Sequence, residues 1–380
     1  MIEWLDEAAA RAAGGIKWAA VAPDTLALWV AEMDVAPPPE VTAALHAAID
    51  RHGVLYPPLE RIGHLREDIA AWHADRLGHP IDAERVLFTG DVLAGLVFTL
   101  STRLEPGSGV ILPTPSYPPF FDAVHQARCH GVRVPMTRDG RRHRLDLDRI
   151  ESAFADGARA IVVTNPHNPT GSAPSADELA GIADLAERHD ALIISDEVHA
   201  PLTLPGRTAS PFSVTAPDAA PRLVTLSSGS KAYNLPGLRF AWLVAHDDAM
   251  FEALAVRPFH ERGPWSVLGQ VAAAAALASD PTWLDELVAD IADRLASVVE
   301  ALGPHVGVEA ISDPDASFLS WVDLRDTPIG ADPAAAIAEA GVRVEPGPRF
   351  GADGEGFVRI NVAASPDTLA RALDRIVGVL

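Results

Sequence analysis

Short apolar runs bounded by glycine and proline alternate with longer stretches of helical periodicity along most of the chain. Residues 85–88, 110–112, 160–163, 191–194, 223–226 and 240–244 read as buried strands. Residues 40–51 and 62–77 carry a helical period, and Ser175-Ala176-Asp177-Glu178 has the capping-box pattern that opens a helix to about Arg188. Strand, helix, strand in that order, with polar residues gathered where the strands end, predicts a parallel sheet that binds its ligand along its carboxyl edge. Further on, residues 267–279 and 281–302 predict two helices, the second opened by Asp280 and Pro281. The remainder predicts a separate α+β domain, with strands near 318–323, 342–345 and 357–362 and helices at 333–340 and 366–379. One run fits less well. Residues 26–35 are mostly apolar but hold Glu32 and Asp34, which is odd for a simple strand, and Pro37-Pro38-Pro39 stops it.

Composition narrows the function classes. The chain has 380 residues, 48% of them hydrophobic and 22% charged, as expected of a globular protein with a large core. A formal net charge of −22 argues against nucleic acid, where affinity comes largely from lysine and arginine on phosphates. No apolar stretch approaches the roughly 20 residues needed to cross a bilayer, and the acidic start Met1-Ile2-Glu3-Trp4-Leu5-Asp6-Glu7 does not read as a signal peptide. Cys129, the single cysteine, excludes an intrachain disulfide or a multi-cysteine zinc site and fits a reducing cytoplasm. The 14 histidines are scattered without an H-E-x-x-H pattern, so no metal centre is expected.

The candidate chemistry centres on Ser227-Ser228-Gly229-Ser230-Lys231, a small-residue loop between two buried strands, with Arg239 eight residues beyond the lysine. A desolvated lysine loses its proton readily and becomes a nucleophile or a Schiff-base former. Amine, hydroxyls and cation together suit a phosphorylated aldehyde such as pyridoxal phosphate (PLP). Ser228-Gly229-Ser230-Lys231 also satisfies S-x-x-K, but the S-D-N and K-T-G partners of that serine-nucleophile class are absent. A solvated loop lysine is the bland alternative. Thr89-Gly90-Asp91-Val92 is a strand-to-helix junction that can aim backbone N–H groups at an anion. Tyr117, in a proline-rich loop, can stack on a flat ligand or simply pack. Asn165 and Asn168 follow a strand in two Asn-Pro pairs that leave amides to donate. Asp196 just after a strand calls for a cationic partner, for which a protonated ring nitrogen would serve. Arg359, alternating with apolar residues, suits bidentate carboxylate binding. Tyr56 lies in a loop over residues 53–58, where packing is its default role.

Taken in order, Asn168-Pro169-Thr170-Gly171, Asp196-Glu197-Val198-His199, Ser228-x-x-Lys231 with Arg239, and Arg359-x-Asn361 resemble the fold-type I PLP enzymes of the aspartate aminotransferase superfamily. The likeness runs from about residue 15 to 365. It implies an α/β fold with a mainly parallel seven-stranded sheet in a large PLP-binding domain, residues 37–284, plus a smaller α+β domain from residues 1–36 and 285–380. It further implies that Lys231 binds the cofactor as a Schiff base, Asp196 pairs with the pyridine nitrogen, and Asn168 bonds the ring 3-oxygen. Ser228, Arg239 and the amides of Gly90, Asp91 and Val92 would hold the phosphate, Tyr117 would stack on the ring, and Arg359 would bind the substrate α-carboxylate.

Lys17-Trp18, the 29–34 segment and Lys231-Ala232-Tyr233-Asn234-Leu235-Pro236-Gly237-Leu238 are most similar to the cystathionine β-lyase branch, the MalY/PatB-type C–S lyases. There, histidine commonly stands three residues after the aspartate, as His199 does. Two positions depart: Glu32 stands where that branch usually has aspartate, and Leu55 where it has glycine. The resemblance implies elimination from cystathionine or a related cysteine S-conjugate. It also implies a cytoplasmic homodimer with active sites at the interface, Tyr56 reaching the neighbouring subunit's phosphate. An aminotransferase is the alternative outcome of the same lysine chemistry. A regulator that uses the fold for binding alone is the third reading, and the DNA-binding module such regulators carry ahead of it is not expected from the short segment before residue 15.

Overall fold

A computed structural model describes residues 2–56 and 59–380. The strands, in chain order, are β1 (Leu26–Leu28), β2 (Val86–Thr89), β3 (Gly109–Thr114), β4 (His130–Pro135), the hairpin β5 (Thr137–Asp139) and β6 (Arg142–Arg144), β7 (Ala158–Thr164), β8 (Leu192–Asp196), β9 (Leu223–Ser227), β10 (Ala241–Ala245), β11 (Leu319–Asp323), β12 (Val342–Pro346) and β13 (Phe357–Asn361). Seven of them form one sheet in the order β2-β10-β9-β8-β7-β3-β4, parallel except for β10, which runs against both neighbours.

The central strands are buried on both faces, which is why they read as unbroken apolar runs and not as alternating ones. Alternate residues still point to opposite sides. Val162 and Ile194 join Leu96, Phe98 and Phe120 in one apolar layer, while Ile161, Val163 and Ile193 join Ile150, Phe154 and Ile182 in the other. Helices Val92–Arg103 and Pro119–Gln126 cover the first face, and Leu147–Ala155 and Ala176–Arg188 the second. The capping box at Ser175 forms as expected: its hydroxyl accepts from the Glu178 amide, and the Glu178 carboxylate accepts from the Ser175 amide.

A second sheet, β1-β12-β13-β11, joins the early strand β1 in parallel to β12, in register Leu26↔Val342. The helices Pro281–Val306 and Pro366–Val377 supply Leu287, Ile291, Leu369 and Leu373 to the core behind it.

Some expectations needed correction. The 26–35 run is a strand only to Leu28, after which the chain turns irregular. The region from β4 to Leu147–Ala155 gave no reading, because β4 is an edge strand with exposed His130, Gly131 and Arg133 and carries no apolar run. Helix Leu59–Leu77 starts ahead of the predicted residue 62. Lys231 lies not in an open loop but in a single helical turn, Gly229–Ala232, capped by the Ser228 hydroxyl, which accepts from the Ser230 amide.

Candidate active site

The carboxyl ends of β7, β8 and β9 stop side by side, and the segments that leave them enclose a cavity of about 190 Å³. Asp91, Val92, Tyr117, Asn168, Asp196, His199, Ser228, Lys231 and Arg239, drawn from residues 91 to 239, all line it. Thr164, Ser230 and Ala31 join them. The register explains part of this convergence: Thr164 of β7 pairs with Asp196 of β8, and Asp196 with Leu226 of β9, just ahead of the lysine turn.

Lys231 is half-buried, and its amine donates to the carbonyl of Ala31 at 2.7 Å. Burial, reinforced by the nearby Arg359 guanidinium, pulls its pKa down to about 8, against the attraction of Glu32 and Asp196. The amine therefore exchanges protons near neutral pH, as a catalytic base must. Asp196 is buried, and one of its carboxylate oxygens accepts from the Val198 amide at 3.1 Å. Burial raises its pKa to about 7, opposed by that amide and by Lys231. Among the described residues no guanidinium or ammonium forms an ion pair with it, and only the more distant charge of Lys231 offsets its own. Burial, with Lys231 and Arg359 nearby, holds His199 neutral, its pKa lowered to about 3, and its Nδ1 is buried without a hydrogen-bond partner.

Arg359 does not line the cavity itself but stands behind it, buried, donating to Asn168 Oδ1 at 3.0 Å and to the Trp29 carbonyl at 2.8 Å. Its Nε is buried and unpartnered. Tyr117 packs edge-on against Phe120, and burial raises its hydroxyl pKa. Asn165, by contrast, turns away, its side-chain amide donating to the Ser210 carbonyl at 2.8 Å.

At the other end of the cavity, Gly90 leads into helix Val92–Arg103, whose first turn Asp91 caps by accepting from Ala94 N at 2.7 Å. A side chain at Gly90 would meet the Pro264 carbonyl oxygen at 2.5 Å, so only glycine fits this turn. Arg239, in the left-handed region at φ 52°, pairs with Asp91 at 2.6 Å and remains more than half exposed. The Ser228 hydroxyl donates to the Phe240 carbonyl at 2.8 Å, and Ser230 lines the cavity beside it.

These residues fit PLP. A buried carboxylate outside any ion pair suits a protonated ring nitrogen, a reactive amine suits the aldehyde, and a helix N-terminus with a guanidinium and hydroxyls suits a phosphate.

Tyr56 is the exception. Its side chain is 99% exposed, and it does not line the cavity; the prolines at 57 and 58 expected to brace it lie outside the described residues. The residues that sequence reasoning missed are mainly those that hold the 29–35 segment at the cavity. Asn361 donates to the carbonyls of Val30 and Glu32, and Asn234 to those of Met33 and Val35. The two carboxylates that spoil the apolar run were the available signal.

A sheet edge that gathers an amine, a carboxylate and an anion site defines an enzyme of small molecules. The chain matches "Aminotransferase class I and II" over residues 23–376 and belongs to that family. A cystathionine β-lyase of Corynebacterium glutamicum is 33% identical over 372 residues, spanning 96% of this chain and 96% of its own. A provisionally assigned PLP-dependent β-cystathionase of Corynebacterium diphtheriae has the same fold at a TM-score of 0.92, with 30% identity over 100% of this chain and 99% of its own. The PLP-bound C–S lyase of Staphylococcus hominis gives 0.88 at 26% identity, over 100% and 97%.

Proposed function

We propose that this chain is a PLP-dependent C–S β-lyase that cleaves L-cystathionine or a related cysteine S-conjugate to pyruvate, ammonia and a thiol. The observation that carries it is the Lys231 amine, poised near neutrality in one cavity with the buried Asp196. The full-length likeness to a cystathionine β-lyase supports the reaction type.

When bound, PLP supplies the sink for the electron pair left at the substrate Cα. Lys231 binds the cofactor and, once released, takes the Cα proton on Nζ. Asp196 keeps the proton on the ring nitrogen and so neutralises its own buried charge. Asn168 would bond the ring 3-oxygen, and Arg359, which burial leaves charged although with a lowered pKa of about 10, would take the substrate α-carboxylate. Ser228, Arg239 and the amides of Gly90, Asp91 and Val92 would hold the phosphate, Tyr117 would stack on the ring, and neutral His199 would sit beside it. Loss of the Cα proton and departure of the thiolate from Cβ leave an enamine, which one water converts to pyruvate and ammonia.

The same reading takes residues 37–284 as the cofactor-binding domain and residues 1–36 with 285–380 as the small domain, supported by the pairing of β1 with β12. It also makes the enzyme a cytoplasmic homodimer. Val54, Leu55 and Tyr56 are exposed in sequence, an apolar stretch suited to burial against a second copy. Among the described residues, no helix is long and apolar enough to cross a membrane.

The test is incubation with L-cystathionine, scoring pyruvate and thiol with and without 2-oxoglutarate. Pyruvate release without the 2-oxo acid is expected. Turnover that strictly requires it, with no pyruvate from any cysteine conjugate, assigns the aminotransferase reaction instead.

A further inference from the structure

Residues 29–35 form an irregular strap from which Ala31 lines the cavity, and each of their carbonyls is hydrogen-bonded. Arg359 takes that of Trp29, Asn361 those of Val30 and Glu32, Lys231 that of Ala31, Asn234 those of Met33 and Val35, and the Leu5 amide that of Asp34. Two of these donors are the proposed base and the proposed carboxylate-binding arginine. The position of the strap therefore fixes both at once.

A buried ion pair adds a further anchor to the strap. Lys17 Nζ donates to Asp34 Oδ2 at 2.9 Å and to the Ala363 carbonyl at 3.1 Å, and both side chains are almost wholly buried. Trp18 Nε1 donates to Asp34 Oδ1 at 2.9 Å. Trp29 Nε1 donates to the Lys17 carbonyl, also at 2.9 Å, so the strap is tied near both ends to the same helical turn, Ile16–Ala19. The Asp34 amide returns to the Ala363 carbonyl, just beyond β13, which carries Arg359 and Asn361.

Stability does not account for such a pair. Two charges taken out of water lose hydration that their attraction barely restores, and an apolar pair of similar volume is commonly as stable or more so. Geometry does account for it, because short directional bonds hold a segment that has neither helix nor sheet of its own.

We infer that Lys17 and Asp34 are positioning residues for the reaction, setting the strap that places the Lys231 amine and orients Arg359. The inference rests on the proposed function for its kinetic readout. Lys17→Met combined with Asp34→Leu removes both charges and should melt near the wild-type temperature. Its kcat should fall about 10- to 100-fold, the scale of a misplacement of about 1 Å, and KM should rise. In the PLP-loaded enzyme, amide exchange over residues 29–35 should quicken, and the pH midpoint of the absorbance of the Lys231-bound cofactor should move. Trp18→Phe, which removes the indole N–H together with part of a buried ring, should give the same pattern to a smaller degree, and its strap exchange and absorbance midpoint decide the matter if the double variant does not fold. Wild-type kcat, strap exchange and absorbance midpoint in a folded variant overturn the inference. Exchange and absorbance do not depend on the leaving group, so they still answer if the enzyme proves to be an aminotransferase, in which case amino transfer replaces pyruvate as the assay.

Discussion

Arg359 joins Asn168 to Trp29: one guanidinium nitrogen donates to the Asn168 side-chain oxygen at 3.0 Å and the other to the Trp29 carbonyl at 2.8 Å. The proposed carboxylate-binding group thus braces both the Asn168 side of the cavity and the strap. Lysine in its place offers a single compact charge and cannot hold both partners. Arg359→Lys is expected to lose about 1.5–3 kcal/mol of charge-assisted bonding, roughly a ten- to hundredfold fall in kcat/KM. Because ground state and transition state are weakened together, KM should rise more than kcat falls. Steady-state kinetics with L-cystathionine check this, and an unchanged KM would remove Arg359 from the carboxylate site.

Asp196→Asn should behave in the opposite way. It removes the negative charge proposed to keep the ring nitrogen protonated but leaves Arg359, the residue proposed to bind the substrate carboxylate, in place. A collapse of kcat with little change in KM is expected. A variant with near wild-type kcat would mean that the carboxylate has no partner on the ring.

Six histidines, His73, His79, His143, His167, His199 and His246, are held neutral by burial, with pKa values lowered to about 3 or 4. The unfolded chain binds protons on them near pH 6.5 while the folded chain does not, so stability rises with pH across that window and is lost as pH falls from about 6.5 towards 4. Asp196 and Glu197, both raised to about 7 by burial, act in the opposite sense between about pH 4 and 7. The histidine part is isolated by comparison. Urea melts of His246→Asn should show a slope of stability against pH smaller than wild type by about 1.4 kcal/mol per unit, and equal slopes would show that His246 is not buried neutral.

If Tyr56, exposed in the single chain, packs against a second copy as proposed, the purified protein is a dimer and Tyr56→Phe weakens PLP retention while leaving Lys231 reactive. Light scattering and a cofactor titration measure the two separately. A fully active monomer removes Tyr56 from the site.

How much of this was legible in the sequence depended on how local the signal was. The central strands announced themselves because burial on both faces forces long apolar runs, and Asp196, Lys231 and Asn168 stood out as polar residues placed where those runs end. Gly90 was readable for the same reason. Edge strand β4 was not, since its exposed side chains leave no pattern. The 29–35 strap was opaque because its order comes from Asn234, Asn361 and Arg359, far away in the chain, and no window of neighbouring residues contains that information. Glu32 and Asp34 signalled that the run was no simple strand, but only the fold reveals that Asp34 meets Lys17.

The pairing of β1 with β12 has a consequence for how the protein is made. Leu26–Leu28 leaves the ribosome long before Val342, against which Leu26 aligns but which lies more than three hundred residues further along the chain. Until then the early strand has no edge to join, and the strap that follows it has neither Arg359 nor Asn361 to hold its carbonyls. The seven-stranded sheet can assemble during synthesis from strands closer together in the chain, whereas the strap is held only after β12 and β13 have been made. A nascent or C-terminally truncated chain would therefore carry Lys231 on a formed sheet without the Ala31 carbonyl to receive it, an exposed amine with its chemistry unassembled.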